Sequence, residues 1–356
     1  MSEDTRTIAK RMPHDWFPPV PAWSALPPSE GGIRIAYYGV QAAEGKQSPA
    51  VLEFRSWFLS LLELDGAPGH CEYAEFIDAQ GYYTWLVIAY WLQVDDYPRW
   101  SSSAAHHDYW LSPQRLDVPA GVFREVLRVP SERFETLQSN VQGRAGAAQV
   151  CPVLHGPIRE HNYWGGMRDR LAISAEDPLH GSAAPLHSDT PVGASLGRRV
   201  RVAAPGNLAV IRSGQAFGDL QGEERTLYHE RIEPALRDGM AYLGSNADET
   251  GCLSCRLLRE TDAQGQALPR SFGLVHFLSL QHMEDWARSH PTHLRIYGEF
   301  LAMAKALDGQ LQLRLWHEVA VLPPSDQLFE SLNCHCATGL LAQSTDVQLH
   351  ASGVQA

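Results

Sequence analysis

The sequence predicts an α+β fold in which duplicated ferredoxin-like units form a β-barrel flanked by helices, the dimeric α/β-barrel type. Three observations lead to this prediction. The spacing of apolar residues alternates along the chain between a period of two, typical of strands, and the helical period of 3.6. The order strand, helix, strand, strand occurs twice, as in ferredoxin-like units. The 356 residues are 44% hydrophobic and 20% charged, so they can form one large domain with a substantial core.

The first predicted unit covers about 31–130 and opens with a strand, because its apolar residues alternate. An amphipathic helix follows, then two strands and a short helix. In chain order these elements are the strand Ile33–Val40, the helix Ser48–Leu64, the strands Cys71–Asp78 and Tyr82–Leu92, and the helix Asp95–Ser101.

The second predicted unit covers about 205–325 and repeats the order and the lengths of the first unit more than its residues. It closes with one more helix and one more strand. The elements before these two are the strand Asn207–Ser213, the helix Glu223–Leu243, the strands Gly251–Glu260 and Ser271–Leu280, and the helix His282–Ser289.

The predicted domain organisation has three parts. Residues 1–30 form a proline-rich arm, since prolines exclude a helix there and aromatic side chains need a surface to cover them. We expect this arm to lie across the body or a neighbouring subunit. Residues 31–325 form a single domain made of the two units, and residues 326–356 form a C-terminal tail.

The most informative stretch is 289–324, which predicts a helix, a tight turn and a strand. The helical stripe carries His293, with Ser289 able to cap the helix start. Asp308-Gly309 predicts the turn. In the strand, His317 stands where the alternation calls for Leu or Val.

A buried imidazole must find a partner, because an unpaired polar group in an apolar site costs about 1–3 kcal/mol. One such histidine is usually a hydrogen-bonded core residue. Two of them on the inner faces of adjacent elements favour a shared ligand with an apolar body and a metal centre. Haem has both properties, and its iron takes a neutral imidazole. The other histidine would then act as acid or base.

Five segments of the chain closely resemble the aldoxime dehydratases, bacterial haem enzymes that convert aldoximes into nitriles. They occur in the family's order between about Pro130 and Pro324. They are PSERFETL (130–137), HNYWGGMRDR (161–170), NLAVIRSGQAF (207–217), HPTHLRIYGEFL (290–301) and LRLWHEVAVLP (313–323).

The resemblance implies roles for individual residues. His293 is expected to be the axial ligand of the haem iron, with His290 as the competing choice. His317 is expected to be the distal acid–base. Arg170 and Glu135 are expected to pair beside it, although Arg168 and Glu132 lie in the same motifs. Ser213 is expected to hydrogen-bond the N–OH group of the substrate.

The expected function is haem-dependent dehydration of aldoximes to nitriles, with the substrate nitrogen on ferrous iron. Haem b is expected, because Arg256 rather than His follows Cys252-x-x-Cys255 and this excludes the usual covalent attachment. One alternative is a haem peroxidase or chlorite dismutase-like enzyme on a related barrel, which would ignore aldoximes. A second alternative is a haem carrier or gas sensor, which would need no proton-transfer residue. The sequence does not distinguish aryl from alkyl substrates.

The net charge and the lengths of the apolar runs restrict the classes of partner that we expect. The formal net charge is −12, which disfavours nucleic acid. The apolar runs are too short to span a bilayer, and no secretory signal is visible, so we expect a cytoplasmic location. In that compartment the six cysteines are expected to be free thiols. We expect a homodimer that acts on a small-molecule aldoxime.

Overall fold

The computed structural model of the chain describes residues 6–181, 195–323, 325, 327–343 and 347–350. The strands are β1 (Ser24–Ala25), β2 (Ile33–Ala42), β3 (His70–Ile77), β4 (Tyr83–Trp91), β5 (Ala120–Val129), β6 (Phe134–Gln138), β7 (Leu154–His155), β8 (Arg199–Val202), β9 (Ala209–Ala216), β10 (Cys252–Thr261), β11 (Ala267–Phe277), β12 (Arg314–Val321), β13 (Gln327–Leu332) and β14 (Val347–His350). The helices are α1 (Pro49–Ser60), α2 (Asp96–Ser101), α3 (Ala104–Leu111), α4 (Gly166–Arg170), α5 (Gly222–Leu227), α6 (Glu233–Ser245), α7 (Ala247–Thr250), α8 (Leu280–Ser289) and α9 (Pro291–Ala306).

One antiparallel sheet of 12 strands dominates the described part of the chain, in the order β14-β8-β13-β5-β2-β4-β3-β10-β11-β9-β12-β6. Its two halves follow the same pattern, because β5-β2-β4-β3 and β12-β9-β11-β10 have equivalent orders in their own segments. The halves meet where β10 pairs with β3. The predicted α+β class is confirmed.

The predicted elements of the two units are present, with small shifts at their ends. The strand predicted at Ser271–Leu280 lies at Ala267–Phe277 instead. It stops there because the Ser279 side chain accepts a hydrogen bond from the His282 N–H and caps α8. Ser289 does not cap α9, since it is the last residue of α8 and His290 occupies the cap position.

The sheet extends beyond residue 325, into the segment expected to be a tail. Strand β13 pairs with β5 on one side and with β8 on the other. Its Glu330 is almost fully buried and forms ion pairs with Arg124, Arg199 and Arg201. This segment is therefore part of the sheet, and its buried charge is paired by residues from two other strands.

The two faces of the sheet bury different layers. Tyr37, Leu86 and Phe272 belong to a core cluster that draws side chains from both halves. On the opposite face, α1, α2 and α3 cover the first half with an aromatic cluster. Residues of α6 and α8 cover the second half, where they pack on strand residues such as Val275 and Val319. This second helix-covered face carries the candidate site.

Strands β9 and β12 are linked by a buried hydrogen-bond network. Arg212 lies opposite Glu318 in the ladder between the two strands. Tyr90 connects them, because it accepts a hydrogen bond from Arg212 Nη1 at 2.7 Å and donates one to Glu318 Oε1 at 2.7 Å. A slip by one residue would turn these charges to the other face, so the network fixes which side chains face the helices.

The proline-rich arm packs against its own chain. Strand β1 pairs with β7, and Trp23 forms a bridge to Gln138 of β6. Nearer the N-terminus, the indole N–H of Trp16 donates to the His161 carbonyl at 2.9 Å. The arm therefore contacts the segment that leads into α4.

None of the helices in the described ranges combines the length and the hydropathy needed to cross a membrane.

Candidate active site

Two neighbouring strands place Ser213 and His317 side by side. They are directly paired in the ladder between β9 and β12. On the other edge of β12, Glu135 of β6 is paired with Val319. Since paired residues project to the same side of a sheet and successive residues alternate, Ser213, His317 and Glu135 all project to the helix-covered face.

A buried ion pair adjoins His317. Arg170 Nε lies 2.6 Å from Glu135 Oε2, and its Nη2 lies 3.1 Å from Oε1. The same Nη2 lies 2.8 Å from His317 Nε2, and Glu135 Oε1 is 3.1 Å from that nitrogen. The three side chains therefore meet at one ring nitrogen of His317.

The electrostatics of this cluster favour an ionised carboxylate. Burial alone raises the pKa of Glu135, whose side chain has no solvent exposure. The positive charge of Arg170, followed by the contribution of His317, outweighs burial and brings that pKa to about 2. Glu135 is thus a fixed negative charge at neutral pH.

The structure distinguishes the alternatives within the two motifs. Arg168 turns away from the cluster and binds Glu284, with its Nη2 at 2.9 Å from Oε2. Glu132 is exposed. Arg170 instead lies at the end of α4, and the Glu160 carbonyl accepts a hydrogen bond from its Nη1. Arg170 and Glu135 are the members of their motifs that contact His317.

His293 lies on a separate element, at the third position of α9. Its ring contacts two tryptophans, with centroid distances of 4.8 Å to Trp286 and 6.1 Å to Trp164. Burial lowers the pKa of His293 to about 4, and the backbone of Ala287 offsets part of that effect. The favoured form is therefore the neutral imidazole.

His290 is engaged in capping the same helix. Its side chain accepts a hydrogen bond from the Thr292 N–H, and its other ring nitrogen lies 3.5 Å from Glu249. The buried Nδ1 of His293, in contrast, has no hydrogen-bond partner among the described residues. Of the two candidates, His290 is the one whose two ring nitrogens are both engaged by neighbouring groups.

The surroundings of His293 fit a large flat apolar group. Met303 is the only fully buried residue of α9, although the helix carries a stripe of apolar side chains. Leu301 and Trp164 are both 44% exposed, and Tyr297 packs edge-on against Trp164. An apolar face around a neutral buried imidazole is the donor set and the lining that haem requires.

Two residues near the site, Gly273 and Trp286, were not predicted from the sequence. Gly273 is paired with Ser213 on β11, and a Cβ added there would lie 2.5 Å from the Met240 methyl group. A glycine inside a buried strand was the available signal, since it often marks close approach. Trp286 gave no signal, because its contact with His293 depends on the angle between α8 and α9.

The chain belongs to the family of haem-containing dehydratases. The family model, described as haem-containing dehydratase, matches residues 36–340. The resemblance seen in the five sequence segments is thereby confirmed.

Individual relatives are similar over almost the whole chain. The aliphatic aldoxime dehydratase of Rhodococcus erythropolis is 37% identical, with 97% of each chain covered. The phenylacetaldoxime dehydratase of a Bacillus sp. is 34% identical over 95% of this chain and 96% of its own. A crystal structure of an aldoxime dehydratase in complex with butyraldoxime has a TM-score of 0.89 at 36% identity, covering 96% of this chain and 94% of that one.

Proposed function

We propose that this protein is a lyase that removes water from an aldoxime, R–CH=N–OH, and releases the nitrile, R–C≡N. The cluster of His317, Arg170 and Glu135 beside Ser213 carries this proposal. Water must leave from a poor leaving group, and a hydrogen must leave the adjacent carbon. Both steps need an acid–base group at a fixed position. The names of the relatives support the same reaction.

The cofactor in this proposal is haem b, and His293 would hold it through its iron. When bound, haem would supply a ferrous iron able to accept the oxime nitrogen and to weaken the N–O bond. The protein contributes a neutral imidazole, because burial disfavours the protonated form of His293. Trp286 and Trp164 both contact that ring.

His317 is the proposed acid and then the base. In both its protonated and its neutral form the ring keeps a hydrogen on Nε2, and this Nε2–H donates to Glu135 Oε1. Both forms are thus held in one place. Because Nε2 is engaged in this way, we assign proton transfer to Nδ1, which carries a proton in the acid form and is free in the base form. It protonates the departing hydroxyl, which leaves as water, and then takes the hydrogen of the adjacent carbon as a proton.

Ser213 and Arg170 orient the leaving group in this proposal. Ser213 is the exposed residue of an otherwise largely buried strand and stands next to His317 in the ladder. Its hydroxyl can hydrogen-bond the N–OH oxygen. The buried Arg170 guanidinium holds a positive charge near the oxygen on which negative charge develops, a role that preorganised donors perform well in a dry site.

The finer architecture belongs to the same proposal. The matching strand orders of the two halves support two ferredoxin-like repeats within residues 31–325, and a core cluster shared by both halves supports a closed barrel. The homodimer and the cytoplasmic location stay predictions. Sedimentation equilibrium of the purified protein tests the first, and fractionation of the source cells tests the second.

A nitrile assay tests the activity. The purified protein should show a Soret band and, after anaerobic reduction, should convert butyraldoxime or phenylacetaldoxime into the nitrile. Turnover of peroxide or chlorite without nitrile formation would favour the peroxidase or chlorite dismutase-like alternative. Haem binding with none of these activities would favour a carrier or sensor.

A single substitution tests the role of His317. His317→Ala should keep the Soret band and lower kcat by a factor on the order of 10²–10⁴, the usual range for loss of a general acid–base group. Haem content and kcat are both to be measured. Retained activity with full haem content would show that another group moves the proton.

A further inference from the structure

The N-terminal segment 6–12 binds the short helix α4 through the buried carboxylate of Asp169. The backbone N–H groups of Arg11 and Met12 donate to Asp169 Oδ1 and Oδ2, each at 3.0 Å. The Tyr163 hydroxyl also donates to Oδ2, at 2.7 Å. Asp169 is only 6% exposed, so these three donors satisfy a carboxylate that water hardly reaches.

The same segment also contacts the other flank of α4. Lys10 Nζ lies 2.9 Å from the Glu160 carboxylate, and Arg11 Nη1 lies 2.9 Å from Glu284, which also holds Arg168. Glu160 in turn uses its backbone carbonyl to bind Arg170. The contacts of segment 6–12 therefore converge on the residues next to Arg170 in sequence and in space.

Helix α4 needs such support because it cannot hold its own geometry. It has only five residues and follows Gly165, whose φ is 107°. A helix of this length is not stable without tertiary contacts, since forming its first turn is unfavourable. The direction in which Arg170 projects is consequently set by what binds α4 from outside.

We propose that Asp169 is a positioning residue through which segment 6–12 fixes Arg170 against His317. The inference rests on the proposed function, in which Arg170 and His317 act on the aldoxime. Asp169 itself contacts neither His317 nor Glu135 in the described hydrogen bonds and ion pairs, and it acts by holding the helix that presents Arg170. Small displacements of a catalytic group lower the rate without a matching loss of binding.

The substitution Asp169→Asn tests this role with little change in volume. The amide has one accepting oxygen, while Arg11 and Met12 each donate to a different carboxylate oxygen. One of those backbone hydrogen bonds is therefore lost in either orientation of the amide. We expect kcat to fall roughly tenfold, with KM changed less than about twofold and full haem content.

Asp78→Asn is the control for replacing a carboxylate oxygen elsewhere, because Asp78 accepts backbone hydrogen bonds from Gln80 and Tyr82 at Oδ1, and its Oδ2 lies 2.9 Å from His335 Nε2. It lies after β3, outside the candidate site. It should leave kcat unchanged even where it lowers the melting temperature. An equal loss of kcat in both variants would overturn the proposal, since general destabilisation would then explain the effect.

A double-mutant cycle shows whether Asp169 acts through Arg170. On an Arg170→Ala background, Asp169→Asn should cause no further loss of kcat. A full additional tenfold loss there would overturn the proposal. If Asp169→Asn does not fold, Tyr163→Phe removes one donor to the same carboxylate and should give a smaller loss of kcat under the same test.

Hydrogen exchange of the holoenzyme separates this inference from the proposed function. Asp169→Asn should increase exchange in peptides that cover 160–171, and Asp78→Asn should not. Absence of nitrile from the wild-type protein would refute the proposed function. A wild-type enzyme that makes nitrile, combined with an Asp169→Asn variant of unchanged kcat and exchange, would refute the positioning role alone.

Discussion

His106 and His293 occupy equivalent places in the two halves of the molecule, yet their surroundings differ. Each is the third residue of a helix, α3 or α9, that directly follows a shorter helix. His106 is 1% exposed, and its Nε2 lies 2.9 Å from the Tyr38 hydroxyl. Its ring also contacts Trp100 and Trp110. His293 contacts tryptophans too, and the buried Nδ1 of both rings has no hydrogen-bond partner among the described residues. The two rings differ at Nε2, which in His106 meets the Tyr38 hydroxyl.

The strand below each histidine explains the difference. Tyr38 is paired with Arg124 on one side and Val87 on the other, and Ser213 is paired with His317 and Gly273 in the same way. In the first half, the large Tyr38 ring fills the layer between strand and helix. In the second half, Ser213 is exposed, and Met240 packs where a side chain at position 273 would lie. One architecture thus supports an aromatic core in one half and the proposed binding site in the other.

Each half also has a buried acid on the strand beside this layer. Glu330 on β13 binds Arg124, as Glu135 on β6 binds Arg170 and lies beside His317. Burial raises the pKa of Glu330, but Arg124, followed by Trp110 and Arg201, outweighs it and brings that pKa to about 2. The comparison therefore predicts that the two buried acids have different roles. Glu330 stabilises the fold, and Glu135 contributes to the reaction.

The largest expected effect is the difference in haem binding between variants of the two histidines. His293→Ala should purify without haem, because the neutral imidazole that would bind the iron is gone, and it should make no nitrile. His106→Ala should keep its haem and most of its activity but lose about 2–4 kcal/mol of unfolding free energy, as large core truncations do. The Soret absorbance per protein and urea unfolding measure the two outcomes. Loss of haem in the His106 variant would break the comparison.

The fold was predictable where local patterns decide it. The strands and helices of both units follow from apolar periodicity, as for the fully buried strand β4. Strand β5 was missed because Arg124 and Glu125 interrupt its apolar pattern. Those charges are tolerated only because Glu330 and Arg256, far away in sequence, pair with them. Such long-range compensation leaves no local signal.

The residues of the candidate site also fall into those that the sequence predicts and those that only the structure reveals. His293 and His317 stand out in the sequence because each breaks an apolar stripe. Arg170 and Glu135 were expected beside His317 through resemblance, and the structure brings these three side chains together. Asp169 could not have been found, since its two backbone donors come from residues more than 150 positions away. Its chemistry lies in contacts that only the folded chain creates.

The second prediction contrasts the two buried acids. Glu135→Gln should lower kcat by roughly 10–100-fold, because the Nε2–H of His317 loses the carboxylate that accepts its hydrogen bond. Glu330→Gln should leave kcat nearly unchanged and lower the unfolding free energy at pH 7 by about 3 kcal/mol. Steady-state kinetics with butyraldoxime and urea unfolding check both. An inactive Glu330 variant with full haem content would contradict the division of roles.

The pH dependence of the Glu330 variant follows from the sign of the pKa shift. A carboxyl whose pKa is lowered from 4.5 to about 2 on folding contributes stability that is complete above pH 4.5 and is lost as pH falls through 2. The wild type should therefore exceed Glu330→Gln in stability most at pH 7, and the gap should shrink between pH 4.5 and pH 2. Urea unfolding across this range measures it, and a constant gap would refute the assignment.

The smallest expected effect compares the two hydroxyls at the equivalent strand positions. Ser213→Ala should reduce kcat about tenfold, the worth of one hydrogen bond to a reacting group, with stability nearly unchanged because the residue is exposed. Tyr38→Phe should do the reverse. It removes hydroxyl contacts to Tyr97 and His106 inside a sealed core, at a cost of about 1–2 kcal/mol, and leaves kcat unaltered. Steady-state kinetics and thermal unfolding of both variants measure these effects. A Ser213 variant with wild-type kcat would contradict the role of its hydroxyl and would leave His317 and Arg170 as the groups that act on the leaving oxygen.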